Sequence, residues 1–198
     1  MKGLVLKDIN SLVTELKYIA LLLVALIFLQ NDFMYIFVIV YMAVLPISAL
    51  GYDERAKWDK MANMLPFTTA QLVGSKYILG YLAMGSATLI VVLSRCLGSG
   101  KTVSAEDFIS TAIVLCIALV IEAIQLPLMF WVGVEKGRIL FILITVFGAS
   151  ILYSSGTILE EISNVQTGKN VLFILAAAAA VCNLVSFLAA EKLYQRAK

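Results

Sequence analysis

An all-α, multi-pass membrane protein with six transmembrane helices is the architecture predicted here, on three observations. Apolar residues are in excess, six runs of them are long enough to cross a bilayer, and the basic residues gather on one side of those runs. Of 198 residues, 62% are hydrophobic and only 14% charged, and the mean hydropathy is +0.97. Soluble domains use nearer ~45–50% apolar and ~25% charged residues, so most of this chain has lipid as its solvent.

Crossing ~30 Å of hydrocarbon takes ~20 predominantly apolar residues. The runs that meet this within one domain, residues 1–198, fall at about 13–29, 33–50, 72–93, 108–132, 139–158 and 171–190. The first is purely apolar only from Tyr18 to Leu29, and Gln30, Asn31 and Asp32 follow it. The small-residue chemistry of a signal-peptide cleavage site is missing there, which favours a retained span. Lys2, Lys7, Lys17, Arg55, Lys57, Lys60, Lys76, Lys136, Arg138, Lys192, Arg196 and Lys198 fall on one side of the six spans. Arg95, Lys101 and Lys169 fall on the other, a ratio of twelve to three. Basic residues are retained in the cytoplasm, so both termini and residues 52–77 should be cytoplasmic, with Cys96 and residues 159–170 outside. The net charge of +2 therefore tracks a membrane surface and gives no reason to expect nucleic acid.

Ahead of the first span, Val5, Ile9, Leu12 and Leu16 recur at helical spacing, opposite Lys7, Asn10, Thr14 and Lys17. That pattern predicts an amphipathic helix lying in the cytoplasmic interface. Between spans two and three stands YDERAKWDKMANMLPFTTAQLVGSKY. Trp58, Met61, Ala62 and Leu65 fall at i, i+3, i+4 and i+7, one stripe of a short helix. Asp53 with Lys57, and Arg55 with Asp59, are i,i+4 pairs of opposite charge. Pro66 stops this helix, and Thr68 with Gln71 forms a capping box that opens the next. By residues alone, the short helix either rests on the headgroups with Trp58 as its anchor or protrudes for another cytoplasmic protein to grip. Ser104 to Asp107 reads as a second capping box, opening span four.

The residues that carry most enzyme chemistry are scarce. There is no histidine, which removes Ser–His and Cys–His nucleophiles and His-ligated metals. Cys96, Cys116 and Cys182 make no paired framework, and the carboxylates show no metal-ligand spacing. LGSGKT at 97–102 resembles the end of a phosphate-binding loop, but Arg95 stands where that motif needs its first glycine, and a membrane span precedes it instead of a strand. Glu122 is the ionisable residue in the interior of a span, followed by Gln125 and Pro127. An intramembrane charge costs roughly 2.5–3.5 kcal/mol on insertion scales, so Glu122 and Gln125 either line a substrate path or form a packing contact with Ser86, Thr145, Ser150 or Asn183. Ala176–Ala180, and Gly148, Ala149, Ser150 and Ser154, mark faces where helices approach closely.

The stretch YDERAKWDKMANMLPFTTAQLVGSKYILGY, LPLMFWVGVEKGRILF at 126–141 and the opening MKGLVLKD together resemble type-2 ATP-binding cassette (ABC) transporter permeases. The likeness spans nearly the whole chain, and small six-helix permeases of bacterial exporters, including those that expel phenol-soluble modulin peptides, are similar to it. What the resemblance implies is a transport subunit, not an enzyme, in a bacterial cell membrane, with no nucleotide-binding domain of its own. A second permease chain, identical or a sister, would complete the path for an amphipathic or hydrophobic substrate. Two separate ATPase subunits would carry ATP and Mg. The family's coupling helix maps onto Asp53–Leu65, which makes Asp53, Arg55, Lys57, Trp58, Asp59, Lys60, Met61 and Leu65 the expected ATPase contacts. Short re-entrant helices are implied in 154–169. From another class, an ATP-independent carrier, sensor or immunity protein is the alternative. A carrier usually shows an internal repeat, and none is evident between the two halves of this chain.

Overall fold

The computed structural model describes residues 2–12, 17–18, 32–62, 64–98, 105–143 and 165–197; among them the regular structure is helical, with no strand. Helix α1 is Lys2–Ser11, α2 is Asp32–Arg55 and α3 is Trp58–Ala62. They are followed by α4, Thr69–Gly98, and α5, Ala105–Val132. Residues 134–143 are helical and are called α6, and α7 is Val165–Ala197. Among the described residues, four helices are long and apolar enough to cross a membrane, over Tyr35–Arg55, Thr69–Cys96, Asp107–Val132 and Val171–Tyr194. These correspond to predicted spans two, three, four and six. Nearly all of the predicted first span, most of the fifth, and residues 154–164 of the 154–169 segment lie outside the described residues, as does Ser104 of the second capping box; residues 165–169 are the start of α7.

Each of the four helices outruns its apolar stretch at one end or both. Hydropathy marks only where hydrocarbon contacts side chains, whereas backbone hydrogen bonding continues until something interrupts it. At Thr68 the start is the predicted capping box: the Thr68 hydroxyl accepts from Gln71 N and the Gln71 side chain accepts from Thr68 N, both at 3.3 Å. At Lys57 the chain turns, with a φ of +52°. This corrects the expectation of one helix over Asp53–Leu65. Asp53–Arg55 are the last turn of α2, and α3 is a separate five-residue helix. A left-handed residue cannot continue an α-helix, so the i,i+4 geometry assumed for Asp53 with Lys57 does not form. Gly133, at φ +88°, ends α5 and redirects the chain into α6, a conformation open to glycine without a Cβ penalty.

Association of helices in lipid depends on close packing and on polar contacts, because lipid tails are as apolar as the side chains. The main core lies between α2, α4 and α5, where Val38, Ile39, Met42, Leu79, Met84 and Val91 interdigitate. Ala43, Ala87 and Ala118, all fully buried, let the backbones approach there. Helices α5 and α7 form the most extensive pairing. One end of the bundle, termed basal, gathers Leu4 of α1, Ala62 of α3 and Leu72 of α4, with Trp58, Phe67 and Tyr194 against them. At the other end Arg95 pairs with Asp107 at 2.8 Å, and its guanidinium lies 4.7 Å from the Tyr35 ring centroid.

The face of α1 that meets the bundle is Leu4, Asp8 and Leu12, all buried. The expected apolar face included Ile9, but Ile9 and Leu6 are exposed on the outer flank. An aspartate occupies the buried face because basic partners wait there.

Candidate functional site

At the basal end, the segment linking α2 to α4 is clamped from the inside. The Trp58 ring packs with Leu4, Ala62 and Leu72, and Lys7 Nζ lies 4.2 Å from its centroid. Met61, Met64 and Leu65 point away, with exposures of 58%, 87% and 43%. The predicted stripe therefore splits. Trp58 and Ala62 hold the segment to the bundle, while Met61 and Leu65, joined by Met64, form an outward apolar face. Arg55 and Lys57 are exposed beside it, and the side chains of Asp59 and Lys60 lie outside the described set.

Asp53 is drawn inward. Its two carboxylate oxygens accept from Lys7 Nζ and Lys76 Nζ, each at 2.5 Å. Lys76 also reaches Asp8 at 2.8 Å, and Lys7 reaches the same oxygen at 3.0 Å. Two lysines and two aspartates thus close a ring in which each lysine touches both acids. Next to it, Glu54 Oε2 accepts from Val134 N at 3.2 Å and so caps the start of α6. A Cβ on Gly51 would lie 3.3 Å from Arg138 Nη2. The two loops singled out by their sequence pattern therefore meet at one end of the molecule.

Near the middle of the bundle, Glu122 and Gln125 share a face of α5 and are both fully buried. The Glu122 carboxyl lies against Gly80 of α4, where an added Cβ would fall on it and would also approach Pro46 of α2 to 2.9 Å. Neither carboxyl oxygen has a hydrogen-bond partner among the described residues. Gln125 Nε2 donates to Ala43 O, three residues before Pro46. The bond ties α5 to α2 in the turn before Pro46, giving a buried side-chain amide a backbone acceptor across the interface.

Around this pair the remaining polar groups are engaged with one another. Ser186 donates to Ala123 O at 2.5 Å and accepts from the Tyr77 hydroxyl at the same distance. Tyr81 donates to Asn183 Oδ1 at 2.8 Å, and Asn183 Nδ2 donates to Ala179 O at 2.9 Å and Leu119 O at 3.2 Å. Of the packing partners considered for Glu122, Asn183 is committed in this way and Ser86 donates to Ala83 O. Thr145 and Ser150 lie outside the described residues. Beside Tyr81 and Asn183 is a cavity of about 260 Å³, otherwise walled by Cys116, Leu119, Ala176, Ala179 and Ala180.

Sequence reasoning found Glu122, Gln125 and the basal segment but missed Lys7, Asp8, Lys76 and Gly80. The signal for Asp8 was its i+4 spacing from Leu4 and i−4 spacing from Leu12. Lys76 lies inside the apolar run 72–93, so Glu122 is not the one ionisable group within a span, although the charge count places Lys76 in the loop. Gly80 has no local signal, since its role exists only through Glu122.

A family model described as ABC-2 family transporter protein matches residues 3–195. No curated protein and no solved structure matches the chain. The family match covers both basal loops and all the membrane-spanning helices described above. With its apolar helices and its nearly full-length family match, this chain belongs to the ABC-2 transporter family, as the membrane-embedded permease component.

Proposed function

We propose that the chain is the permease subunit of an ATP-driven exporter in a bacterial cytoplasmic membrane, with its basal end and both termini in the cytoplasm. A second permease chain, identical or a sister, completes the path, and two separate ATPase chains dock at the basal end and carry ATP and Mg. The observation that carries this reading is the split of the basal segment. Trp58 and Ala62 fasten it to the bundle while Met61, Met64 and Leu65 stand exposed, with Arg55 and Lys57 exposed on the same segment. Burying a methionine or leucine in a partner groove contributes about 1.5–3 kcal/mol by area. Arg55 and Lys57, exposed on this segment, set orientation and association rate, with Lys60 and Asp59 next to them in sequence; Asp53 faces inward instead, bonded to Lys7 and Lys76.

The substrate class is amphipathic or hydrophobic, with peptides of the phenol-soluble modulin kind among the candidates. An apolar cavity edged by Tyr81 and Asn183, with Glu122 and Gln125 deeper in the same bundle, supports it. Purification of the tagged chain from its native membranes, followed by mass spectrometry, tests the assembly. It should bring down an ATPase chain with a phosphate-binding loop; recovery of the permease with no ATPase would contradict it.

A further inference from the structure

We propose that the ring of Lys7, Asp8, Asp53 and Lys76 is the joint through which the docked basal segment moves α4, with Lys76 as the positioning residue and α1 as its brace. The proposal rests on the exporter reading above and adds a route for motion within the permease. Lys76 is in the second turn of α4, and its side chain is 7% exposed; that of Asp8 is 1% exposed and that of Asp53 15%. Lys7 is the more open member at 26%; a buried charge stripped of its partner is strongly destabilising, so the elements that supply Asp8, Asp53 and Lys76 resist separating one at a time. They are α1, the end of α2 and the start of α4. Trp58 of α3 joins them through the Lys7 ammonium over its ring. Displacement of the basal segment is thereby displacement of α4.

The next residue extends the route. Tyr77, on an adjoining face of α4, reaches Ser186 of α7, which in turn bonds Ala123 O of α5. Residues 76 and 77 thus connect α4 to the basal segment on one face and to the α5–α7 pair on another. A slack apolar contact could slide under load; a closed ring of short, directional, charge-assisted hydrogen bonds resists it.

The native Cys96, exposed near the far end of α4, reports on the outcome. The permease is purified with its ATPase in lipid nanodiscs, and the labelling rate of Cys96 by a membrane-impermeant maleimide is measured with and without ATP and vanadate. In the parent, trapping the ATPase should change that rate. Asp8→Leu with Lys76→Met removes one charge of each sign and leaves the Lys7–Asp53 pair intact, a substitution that buried ion pairs tolerate without loss of stability. This double variant should melt like the parent, keep its ATPase and hydrolyse ATP, yet lose the nucleotide-dependent change at Cys96. Lys76→Arg, which keeps the charge, should retain it. Should the double variant fail to fold, Lys7→Met, at the more exposed side of the ring, should weaken the response. An unchanged Cys96 response in a folded double variant, or in Lys7→Met, overturns the inference, as does a parent in which Cys96 is insensitive to nucleotide. Absence of any ATPase from the parent complex would instead overturn the exporter reading.

Discussion

At the basal end, two positive and two negative side chains meet, and each oxygen or nitrogen that forms the ring faces an opposite charge. Near the middle of α5, Glu122 is buried more completely than the ring, with neither oxygen paired among the described residues. Both places remove ionisable groups from water, but only the first sets opposite charges against each other, with Asp8 Oδ2 the one carboxylate oxygen of the ring left without a partner among the described residues. A compensated cluster fixes geometry and resists rearrangement. The Glu122 carboxyl, by contrast, keeps its hydrogen-bonding capacity unused among the described residues.

That contrast can be broken by substitution, and the largest effect belongs to the basal ring. Asp8→Ala leaves Lys76 and Lys7 sharing Asp53, an excess buried charge that should cost about 3–5 kcal/mol. In detergent the variant should melt well below the parent; a melting point within error of the parent would mean that the ring is hydrated and loosely held. A middle-sized effect is expected at Gly80. Gly80→Ala drives a Cβ into the Glu122 carboxyl and Pro46, an overpacking worth about 1–3 kcal/mol. The same change in a Glu122→Ala background should cost much less, and this non-additivity, read from the four melting temperatures, checks the contact. Tyr81→Phe, which removes one hydrogen bond to Asn183, should cost least, about 0.6 kcal/mol, as polar contacts between membrane helices generally do.

Much of this architecture was legible along the chain. The four apolar runs, the capping box at Thr68 and the mid-span position of Glu122 are local features, written in composition and spacing over a few turns. In the pattern at 126–141, the glycine at 133 corresponds to a backbone position with positive φ, and Leu126 and Pro127 lie in α5. The illegible part is long-range. Asp8 and Lys76 are 68 residues apart, and nothing near either announces the other. The break at Lys57 was missed because its neighbours form a good helical stripe; the residue adopts a left-handed φ once Trp58 turns inward under α1. The inward turn also redistributes the roles of the basal segment, giving the anchoring to Trp58 and the outward display to Met61, Met64 and Leu65.

The outward face of Met61, Met64 and Leu65 is the proposed dock of the ATPase. The direct measurement is co-purification of the ATPase with a Met61→Asp, Met64→Asp permease, whose substitutions touch only exposed side chains and should leave insertion and melting unchanged. The account predicts that the ATPase is lost from the variant complex while the parent retains it. Equal recovery of the ATPase with both would contradict the account and leave the segment between α2 and α4 as a membrane-surface anchor.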